Sequence, residues 1–415
     1  MPEMHGQPTT GQPTYGDILE ARELLRDHIT ETPVQGARWL TDMIGDTVIL
    51  KCENLQRTGS FKARGAFVRI ARLTEEQRKY GVVAASAGNH AQGVALAATT
   101  LGIPSTVFMP EGAPIPKEKA TRAYGAEVIF EGQYVDQCLE AAMAFAERTG
   151  AVMIHPFDHP DVVAGQGTIG LEILEQAPDV KTVVIPLGGG GLLAGAALAI
   201  KAKHPDVKVV GVQAETAAAY PVSLREGRPI RLDKMPTMAD GIAVGLPGET
   251  NFPMIQAYVD EIRTVSEEAI SSALLSLVER AKLVVEPAGA VGVAALMDAP
   301  EAFEGPVVVV LSGGNIDPLL LGKVIQHGMT LAGRYLPVAV TIPDQPGALA
   351  TLLSVIGDTG ANVMEVVHSR TNPGLRLAEV GVQLQLETRG QTHAERVLEQ
   401  LRSKGYPATT HQGHA

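Results

Sequence analysis

The stretch Thr182–Lys203, TVVIPLGGGGLLAGAALAIKAK, contains a strand, a tight turn and a helix in immediate succession. Its beginning is β-branched and apolar, which is typical of a buried strand, and its end is rich in alanine and leucine, which is typical of a helix. Four consecutive glycines, Gly188–Gly191, join the two parts. A strand that passes through a glycine turn into a helix is typical of parallel α/β proteins.

The same alternation continues on both sides of this stretch. Further strands are predicted at Thr47–Lys51, Val82–Ala85, Ser105–Phe108, Glu127–Phe130, Val152–His155, Val207–Gln213 and Val307–Leu311. Intervening helices are predicted at Ala63–Leu73, Ala91–Leu101, Tyr134–Arg148 and Glu267–Lys282. Because these strands are apolar along nearly their whole length, they are predicted to be covered on both faces. The fold class is therefore α/β with mostly parallel sheets, and ligands are expected at the loops that follow the strands.

The pattern changes after Gly333. Strands are predicted at Leu336–Ile342, Asn362–Arg370 and Arg376–Thr388, with a short last strand near Ala408–Gln412. Helices are predicted at Ala348–Gly357 and Thr392–Lys404, and a turn at Asn372-Pro373-Gly374. This βαββαβ order predicts an α+β, ferredoxin-like module with an antiparallel sheet.

Length and composition exclude several classes of function. The 415 residues correspond to two or three domains. A formal net charge of −12 offers no general attraction to nucleic acid or to an anionic membrane. Pro186 and the four glycines interrupt the longest uncharged apolar run, so no membrane-spanning helix is predicted. Two cysteines, Cys52 and Cys138, cannot build a disulfide framework, and without a secretion signal a cytoplasmic location is expected.

The first chemical motif is Thr58–Ala66, TGSFKARGA, which contains Lys62 at the start of a predicted helix. In an apolar pocket, desolvation and the helix dipole lower the pKa of such a lysine. An amine that is neutral part of the time can form a Schiff base. The alternative, a solvated surface lysine, is the commoner case.

Two further loops follow predicted strands. The loop Ser86-Ala87-Gly88-Asn89-His90 can turn backbone amides toward a carboxylate at a helix N-terminus, although capping alone also explains it. Ser312, in Leu311–Asn315, can bond a heteroaromatic nitrogen without ionising it, or can be an ordinary turn serine.

The glycine turn itself predicts a phosphate cradle, because glycines allow close backbone approach at the positive end of a helix. Gly189-x-Gly191-x-x-Ala194 also matches a dinucleotide fingerprint, so that alternative stays open. Glu286 either places a carboxylate at the cleft or caps the next helix. His155 and His159 have the spacing of helical zinc ligands, but neighbouring prolines break such a helix, and no metal site is predicted.

A Schiff-base lysine, a carboxylate loop, a phosphate cradle and a serine together describe a pyridoxal 5′-phosphate site. In this order and at these separations, the four motifs resemble the fold-type II pyridoxal phosphate enzymes, from about Tyr15 to Gly333. Among these the chain is most similar to the threonine dehydratases (threonine ammonia-lyases). The C-terminal module resembles an ACT domain through Pro343–Leu349 and Gly360–Val363.

The resemblance implies a role for each motif. Lys62 would bind the cofactor as a Schiff base and move the α-proton, and Phe61 would lie against the cofactor ring. Asn89 would hydrogen-bond the ring hydroxyl, and Ser312 would face the pyridine nitrogen. The phosphate would be held by the backbone of Gly188, Gly189, Gly190, Gly191 and Leu192. The substrate carboxylate would be held by Ser86, Ala87, Gly88, Asn89 and His90.

The implied reaction is dehydration and deamination of L-threonine to 2-oxobutanoate and ammonia, the first step of isoleucine biosynthesis. The ACT resemblance implies feedback by isoleucine or valine and a homodimer or homotetramer, although the module can also be a dimerisation element without a ligand. Alternative functions are a serine or threo-3-hydroxyaspartate dehydratase, a nucleotide-linked oxidoreductase, and an amino-acid sensor with an inactive catalytic domain.

Two departures from related serine racemases are informative. Those enzymes have a serine where this chain has Ala87, which cannot move a proton on the second face of the substrate. They also have acidic metal ligands in the stretch where this chain has Ala217–Ala219. The resulting domain prediction is a tail (1–15), a large lobe (16–79 and 159–333), a small lobe (80–158) and an ACT-like domain (334–415).

Overall fold

The computed structural model describes residues 11–370 and 375–410. The chain divides into two compact units, with the boundary between Pro318 and Leu319. Most of the predicted tail lies outside the described residues, and the first helix begins at Tyr15. The predicted ACT-like segment, from residue 334, lies within the second unit.

The strands in the described residues follow the predicted alternation. They are β1 (Val34–Gly36), β2 (Val48–Lys51), β3 (Val82–Ala85), β4 (Ser105–Met109), β5 (Glu127–Phe130), β6 (Val152–Met153), β7 (Thr182–Pro186), β8 (Lys208–Ala214), β9 (Glu261–Val265), β10 (Val307–Val310), β11 (Tyr335–Pro343), β12 (Asn362–Ser369) and β13 (Glu379–Glu387).

Two sheets form the first unit. The larger has the order β1-β2-β10-β7-β8-β9, and every neighbouring pair except β1 with β2 is parallel. The smaller has the order β5-β4-β3-β6 and is parallel throughout. The prediction of an α/β fold with mostly parallel sheets is confirmed. The smaller sheet spans Val82–Met153, inside the segment 80–158.

The helices lie between the strands along the chain. They are α1 (Tyr15–Leu25), α2 (Arg38–Ile44), α3 (Lys62–Ala71), α4 (Glu75–Tyr80), α5 (Asn89–Thr100), α6 (Ile115–Ala123), α7 (Val135–Thr149), α8 (Pro160–Gln176), α9 (Gly191–Lys201), α10 (Ala219–Glu226), α11 (Asn251–Tyr258), α12 (Glu267–Ser276), α13 (Pro287–Asp298), α14 (Pro318–Leu331), α15 (Ala348–Gly357) and α16 (Gln391–Ser403).

The central strands of both sheets are apolar because both of their faces are covered. Every residue of β3, β4, β7 and β10 is buried. Helix α9 is buried along nearly its whole length, and its Gly195 lies so close to α8 that a Cβ there would overlap the Val163 carbonyl oxygen. This packing fixes the start of α9, and therefore the glycine turn, against the larger sheet.

The second unit contains an antiparallel sheet with the order β11-β13-β12. Its apolar core combines alternate residues of β11 and β13 with residues of α15 and α16. The predicted last strand is reduced to a single bridge between Ala339 and Thr409. Its end and the whole of the predicted turn 372–374 lie outside the described residues. The antiparallel sheet with two helices is consistent with the ferredoxin-like prediction. In the described part of the chain, no helix has the length and apolarity needed to cross a membrane.

Candidate active site

A cavity of about 870 Å³ in the first unit contains all the residues predicted for the site in its wall. These residues are Phe61, Lys62, Ser86, Ala87, Gly88, Asn89, His90, Gly188, Gly189, Gly190, Gly191, Leu192, Glu286 and Ser312. They come from the loops after β3, β7 and β10 and from the starts of α3, α5, α9 and α13. The cavity therefore lies at the carboxyl ends of strands of both sheets, as expected for parallel α/β folds.

Lys62 is the first residue of α3 and points into the cavity. Its Nζ donates a hydrogen bond of 2.8 Å to the Pro156 carbonyl oxygen and lies 5.2 Å from the centroid of the Phe61 ring. Burial lowers the pKa of Lys62 to about 8, while the nearby Glu286 carboxyl opposes the shift. Roughly 9% of this amine is therefore neutral at pH 7, far more than for an exposed lysine, and a Schiff-base lysine reacts in its neutral form.

A buried ion cluster holds the start of α3 in place. Arg64, fully buried two residues after Lys62, donates to Glu53 at 2.8 and 2.9 Å and to Glu172 at 2.9 Å. The buried Lys51 ammonium also donates to Glu172. Because buried charges must be paired, this cluster ties α3 to β2 and α8 and limits the positions that Lys62 can take. None of these residues was predicted to have a role at the site.

The glycine turn presents its amides to the cavity. The carbonyl oxygen of Gly189 accepts from the Tyr220 hydroxyl at 3.1 Å and from Asn251 Nδ2 at 3.0 Å. Gly190 has φ +103°, a conformation that favours glycine. The five amides of Gly188–Leu192 find no acceptor among the described residues. A row of free amides at the N-terminus of α9 is a binding site for an anion such as phosphate.

In the loop Ser86–His90, the side chain of His90 is engaged with the protein backbone. His90 Nε2 lies 2.8 Å from the Ile154 carbonyl oxygen, and burial, together with the nearby Lys62, lowers the pKa of His90 to about 3. The imidazole is therefore neutral and engaged with the protein backbone. Within this loop, Gly88 donates its amide to the Ser86 hydroxyl at 3.1 Å, which keeps the turn tight before α5.

Glu286 faces the cavity and does not cap α13 with its side chain. Asn89 Nδ2 donates to Glu286 Oε1 at 2.7 Å. Burial raises the pKa of Glu286 to about 7, with Asp240 adding to the shift and Lys117 opposing it. The structure therefore favours the prediction that Glu286 places a carboxylate at the cleft over the alternative that it caps α13.

Ser312 is buried in the wall of the same cavity, directly after β10. Its carbonyl oxygen accepts from the Phe61 amide at 3.1 Å, which joins the segment of Lys62 to that of Ser312. Among the residues that the structure describes, none forms a hydrogen bond with the Ser312 hydroxyl. The hydroxyl is therefore free to bond a ligand.

Other cavity residues were not predicted. Lys117 of α6 and Asp240 form an ion pair of 3.0 Å between the segment of the smaller sheet and that of the larger. Gln166 of α8 is buried, and its Oε1 has no partner among the described residues. An ordinary charged helix and a lone glutamine carry no sequence signal, so these residues could be found only from the fold. His155, set aside as a zinc ligand, accepts from the Asp158 amide at 2.7 Å and shapes the cavity wall.

The chain is similar to known proteins over most of its length. The family described as "Pyridoxal-phosphate dependent enzyme" matches residues 25–313. An L-threonine ammonia-lyase from Thermotoga maritima is 48% identical over 393 residues, covering 95% of this chain and 98% of that protein. The crystal structure of a threonine deaminase from T.th. has 44% identity and a TM-score of 0.70, covering 74% of this chain and 99% of the other. Maize serine racemase has 34% identity and a TM-score of 0.72, covering 77% and 98%.

Proposed function

The chain belongs to the pyridoxal-phosphate-dependent enzyme family, and on this premise we propose that it converts L-threonine to 2-oxobutanoate and ammonia. The observation that carries the proposal is the single cavity in which the Lys62 amine, the five free amides of Gly188–Leu192 and the free Ser312 hydroxyl meet. The threonine ammonia-lyase from Thermotoga maritima, similar over nearly the whole of both chains, supports this choice of substrate.

The cavity residues fit pyridoxal phosphate in charge and hydrogen-bonding capacity. The free amides suit its phosphate dianion, the Lys62 amine suits its aldehyde, and the neutral Ser312 hydroxyl suits its ring nitrogen. When bound, the cofactor withdraws electrons from Cα of the attached amino acid. Membership of this family leaves the nucleotide-linked alternative for Gly189–Ala194 without support.

Three parts of the cavity wall act on the substrate and the cofactor in the proposed reaction: the Ser86–His90 loop, Lys62 and Ser312. The amides of Ala87, Asn89 and His90, which find no acceptor among the described residues, bind the substrate carboxylate at the start of α5. The Ser86 amide already donates to the Phe108 carbonyl oxygen and the Gly88 amide to the Ser86 hydroxyl. Lys62 Nζ takes the proton from Cα, and the Pro156 carbonyl oxygen orients this amine. Ser312 leaves the ring nitrogen without a full positive charge, which suits an elimination in which the β-hydroxyl departs at once.

The likeness to maize serine racemase raises racemisation as an alternative. Proton transfer on the second face of the substrate needs a base there, and Ala87 has none. This favours elimination over racemisation.

The test is a substrate panel on the purified holoenzyme. Threonine, serine and threo-3-hydroxyaspartate are compared by keto-acid formation, and the serine reaction is also assayed for D-serine. The proposal expects the highest kcat/KM for threonine and at least a thousandfold loss of kcat in Lys62→Ala, with no loss in the control Lys79→Ala, whose side chain is exposed. Preference for another substrate, or turnover retained by Lys62→Ala, would contradict it.

For the second unit we propose an ACT-like regulatory role, with isoleucine or valine as the effector and a homodimer or homotetramer as the active form. The antiparallel sheet with two helices supports this, and feedback of this kind suits an enzyme that opens isoleucine biosynthesis. The test measures threonine kinetics with and without each amino acid, before and after deletion of residues 335–415, and molecular mass by light scattering. Unchanged kinetics in the full chain would refute the regulatory role.

We also propose a cytoplasmic location, supported by two buried cysteines that form no disulfide.

A further inference from the structure

The side chain of Asn89 lies within a continuous chain of hydrogen bonds at the cavity wall. Asn315 Nδ2 donates to the Thr58 carbonyl oxygen at 2.6 Å and to Asn89 Oδ1 at 2.8 Å. Asn89 Nδ2 in turn donates to Glu286 Oε1 at 2.7 Å. These four residues come from the loop before α3, the loop after β10, and the starts of α5 and α13. We call them the amide relay.

The direction of the amide relay is set at its backbone end. The Thr58 carbonyl oxygen can only accept, so Asn315 must turn its Nδ2 toward it. The second hydrogen of that nitrogen then requires an acceptor, which fixes Asn89 with Oδ1 toward Asn315 and Nδ2 toward Glu286. A backbone carbonyl does not titrate, so this direction does not depend on pH.

Two glycines of the motifs leave room for the amide relay. A Cβ at Gly59 would overlap Asn315 Oδ1, and a Cβ at Gly313 would overlap Glu286 Oε1 and lie 3.2 Å from Asn89 Nδ2. Thr58 itself has φ +66°, in the left-handed region that non-glycine residues rarely adopt. Backbone strain is tolerated where the surrounding structure fixes it. In this left-handed conformation, the Thr58 carbonyl oxygen lies within hydrogen-bond distance of Asn315 Nδ2.

From this geometry we infer that Thr58, Asn315 and Glu286 are positioning residues that fix Asn89 as a hydrogen-bond donor toward the cavity. Asn89 Nδ2 carries two hydrogens; one goes to Glu286, and the other has no acceptor among the described residues. A donor at this position stabilises an anionic ligand oxygen and would repel a ligand donor.

The inference rests on the proposed function, since it takes the ring oxygen of bound pyridoxal phosphate as the acceptor. Donation to that oxygen favours its deprotonated form, which changes the visible absorbance of the holoenzyme. Glu286 acts here by accepting a hydrogen bond from Asn89. Both the ionised carboxylate and the neutral carboxylic acid can accept it.

The experiment compares Glu286→Gln, Glu286→Ala and Asn315→Ala as holoenzymes, with Asn89→Ala as the reference for complete loss of the donor. Visible absorbance is titrated with pH, and kcat and KM are measured for threonine. Glu286→Ala and Asn315→Ala are expected to shift the visible band in the same direction as Asn89→Ala and to lower kcat at least tenfold, with a smaller change in KM. Glu286→Gln keeps an acceptor oxygen and is expected to recover most of what Glu286→Ala loses.

Two results would overturn the inference. If Glu286→Gln loses as much as Glu286→Ala, the carboxyl acts through its proton and not as an acceptor. If Glu286→Ala and Asn315→Ala lower only the melting temperature and leave the visible band in place, the residues are merely structural. Asn315→Ala tests the opposite end of the amide relay if Glu286→Ala does not fold. A band unchanged in Asn89→Ala would instead remove the proposed cofactor contact, while the substrate panel tests the reaction separately.

Discussion

The low pKa of Lys62 predicts an amine far more reactive near neutral pH than an exposed lysine. With a pKa of about 8, roughly 9% of the Lys62 side chains are neutral at pH 7. A lysine with the ordinary pKa of about 10.4 is only ~0.04% neutral, so the neutral form is enriched about 200-fold. The cause is burial at the start of α3, which outweighs the opposing attraction of Glu286.

The assay is reductive methylation of the apoprotein with limiting formaldehyde over pH 6 to 11, followed by mass spectrometry of the peptide that contains Lys62. Modification is expected to rise to half its maximum at about pH 8. The exposed Lys79 in the same digest reports the pH dependence of the reagent itself. In Glu286→Gln the midpoint should move further down, because a carboxylate that stabilises the ammonium is lost. A midpoint above ~pH 10, or one that does not respond to Glu286→Gln, would refute the reasoning.

Gly190→Ala is expected to weaken pyridoxal phosphate binding at least tenfold, because its Cβ would overlap the Tyr220 hydroxyl and φ is +103°. Titration of the apoprotein with cofactor measures this, and an equal loss in the control Gly227→Ala, at φ +69° in open space, would contradict it. Arg64→Met should cost about 3–5 kcal/mol in urea unfolding, since the buried Glu53 loses its cation and Glu172 keeps only Lys51, and a cost below ~1 kcal/mol would contradict this. Burial raises the pKa of Glu286 from 4.5 to about 7, so the folded state binds the extra proton and stability falls as pH rises between these values. Glu286→Gln should therefore gain up to about 3 kcal/mol relative to the unsubstituted chain between pH 4.5 and 8, and parallel stability curves would contradict this.

The central strands of the larger sheet, which are buried on both faces, were identified from their continuous apolar runs. Val82–Ala85, which is buried throughout, has the predicted bounds, and so does the partly exposed edge strand Glu127–Phe130. The missed strands, β1 and β9, lie at the edges of the larger sheet, where half-buried residues give no continuous apolar run. A continuous apolar run in the sequence indicates burial. The strands β1 and β9 lack such a run and are strands because they pair with a neighbouring strand.

Several predicted elements were too long, including Arg376–Thr388, which is a strand only over Glu379–Glu387. Val152–His155 ends as a strand at Met153, because His155 already accepts from the Asp158 amide in a turn. Glu267–Lys282 remains α-helical only to Ser276 and continues as a π-helical segment, Leu277–Ala281. Neither Val152–His155 nor Glu267–Lys282 contains a glycine or proline. The sequence pattern therefore gives no indication of where the strand or the α-helix ends.

The candidate site was predictable where one short motif carries the chemistry. Lys62, the glycine turn and Ser312 each follow or begin an element, and the parallel topology brings those ends together. The Arg64 cluster and the pair of Lys117 with Asp240 join segments more than a hundred residues apart. Such contacts exist only after the fold has formed, so their residues look ordinary in the sequence.

The crowding behind the glycine turn has a consequence for engineering. Side chains added at Gly189 and Gly191 would collide with Phe157, and one added at Gly190 with Tyr220, so this wall offers no position for mutational libraries. Tyr134 and Met235, which also line the cavity, are more exposed and carry side chains that can be exchanged. Substitutions at these two positions are expected to leave the glycine turn, and with it cofactor retention, intact.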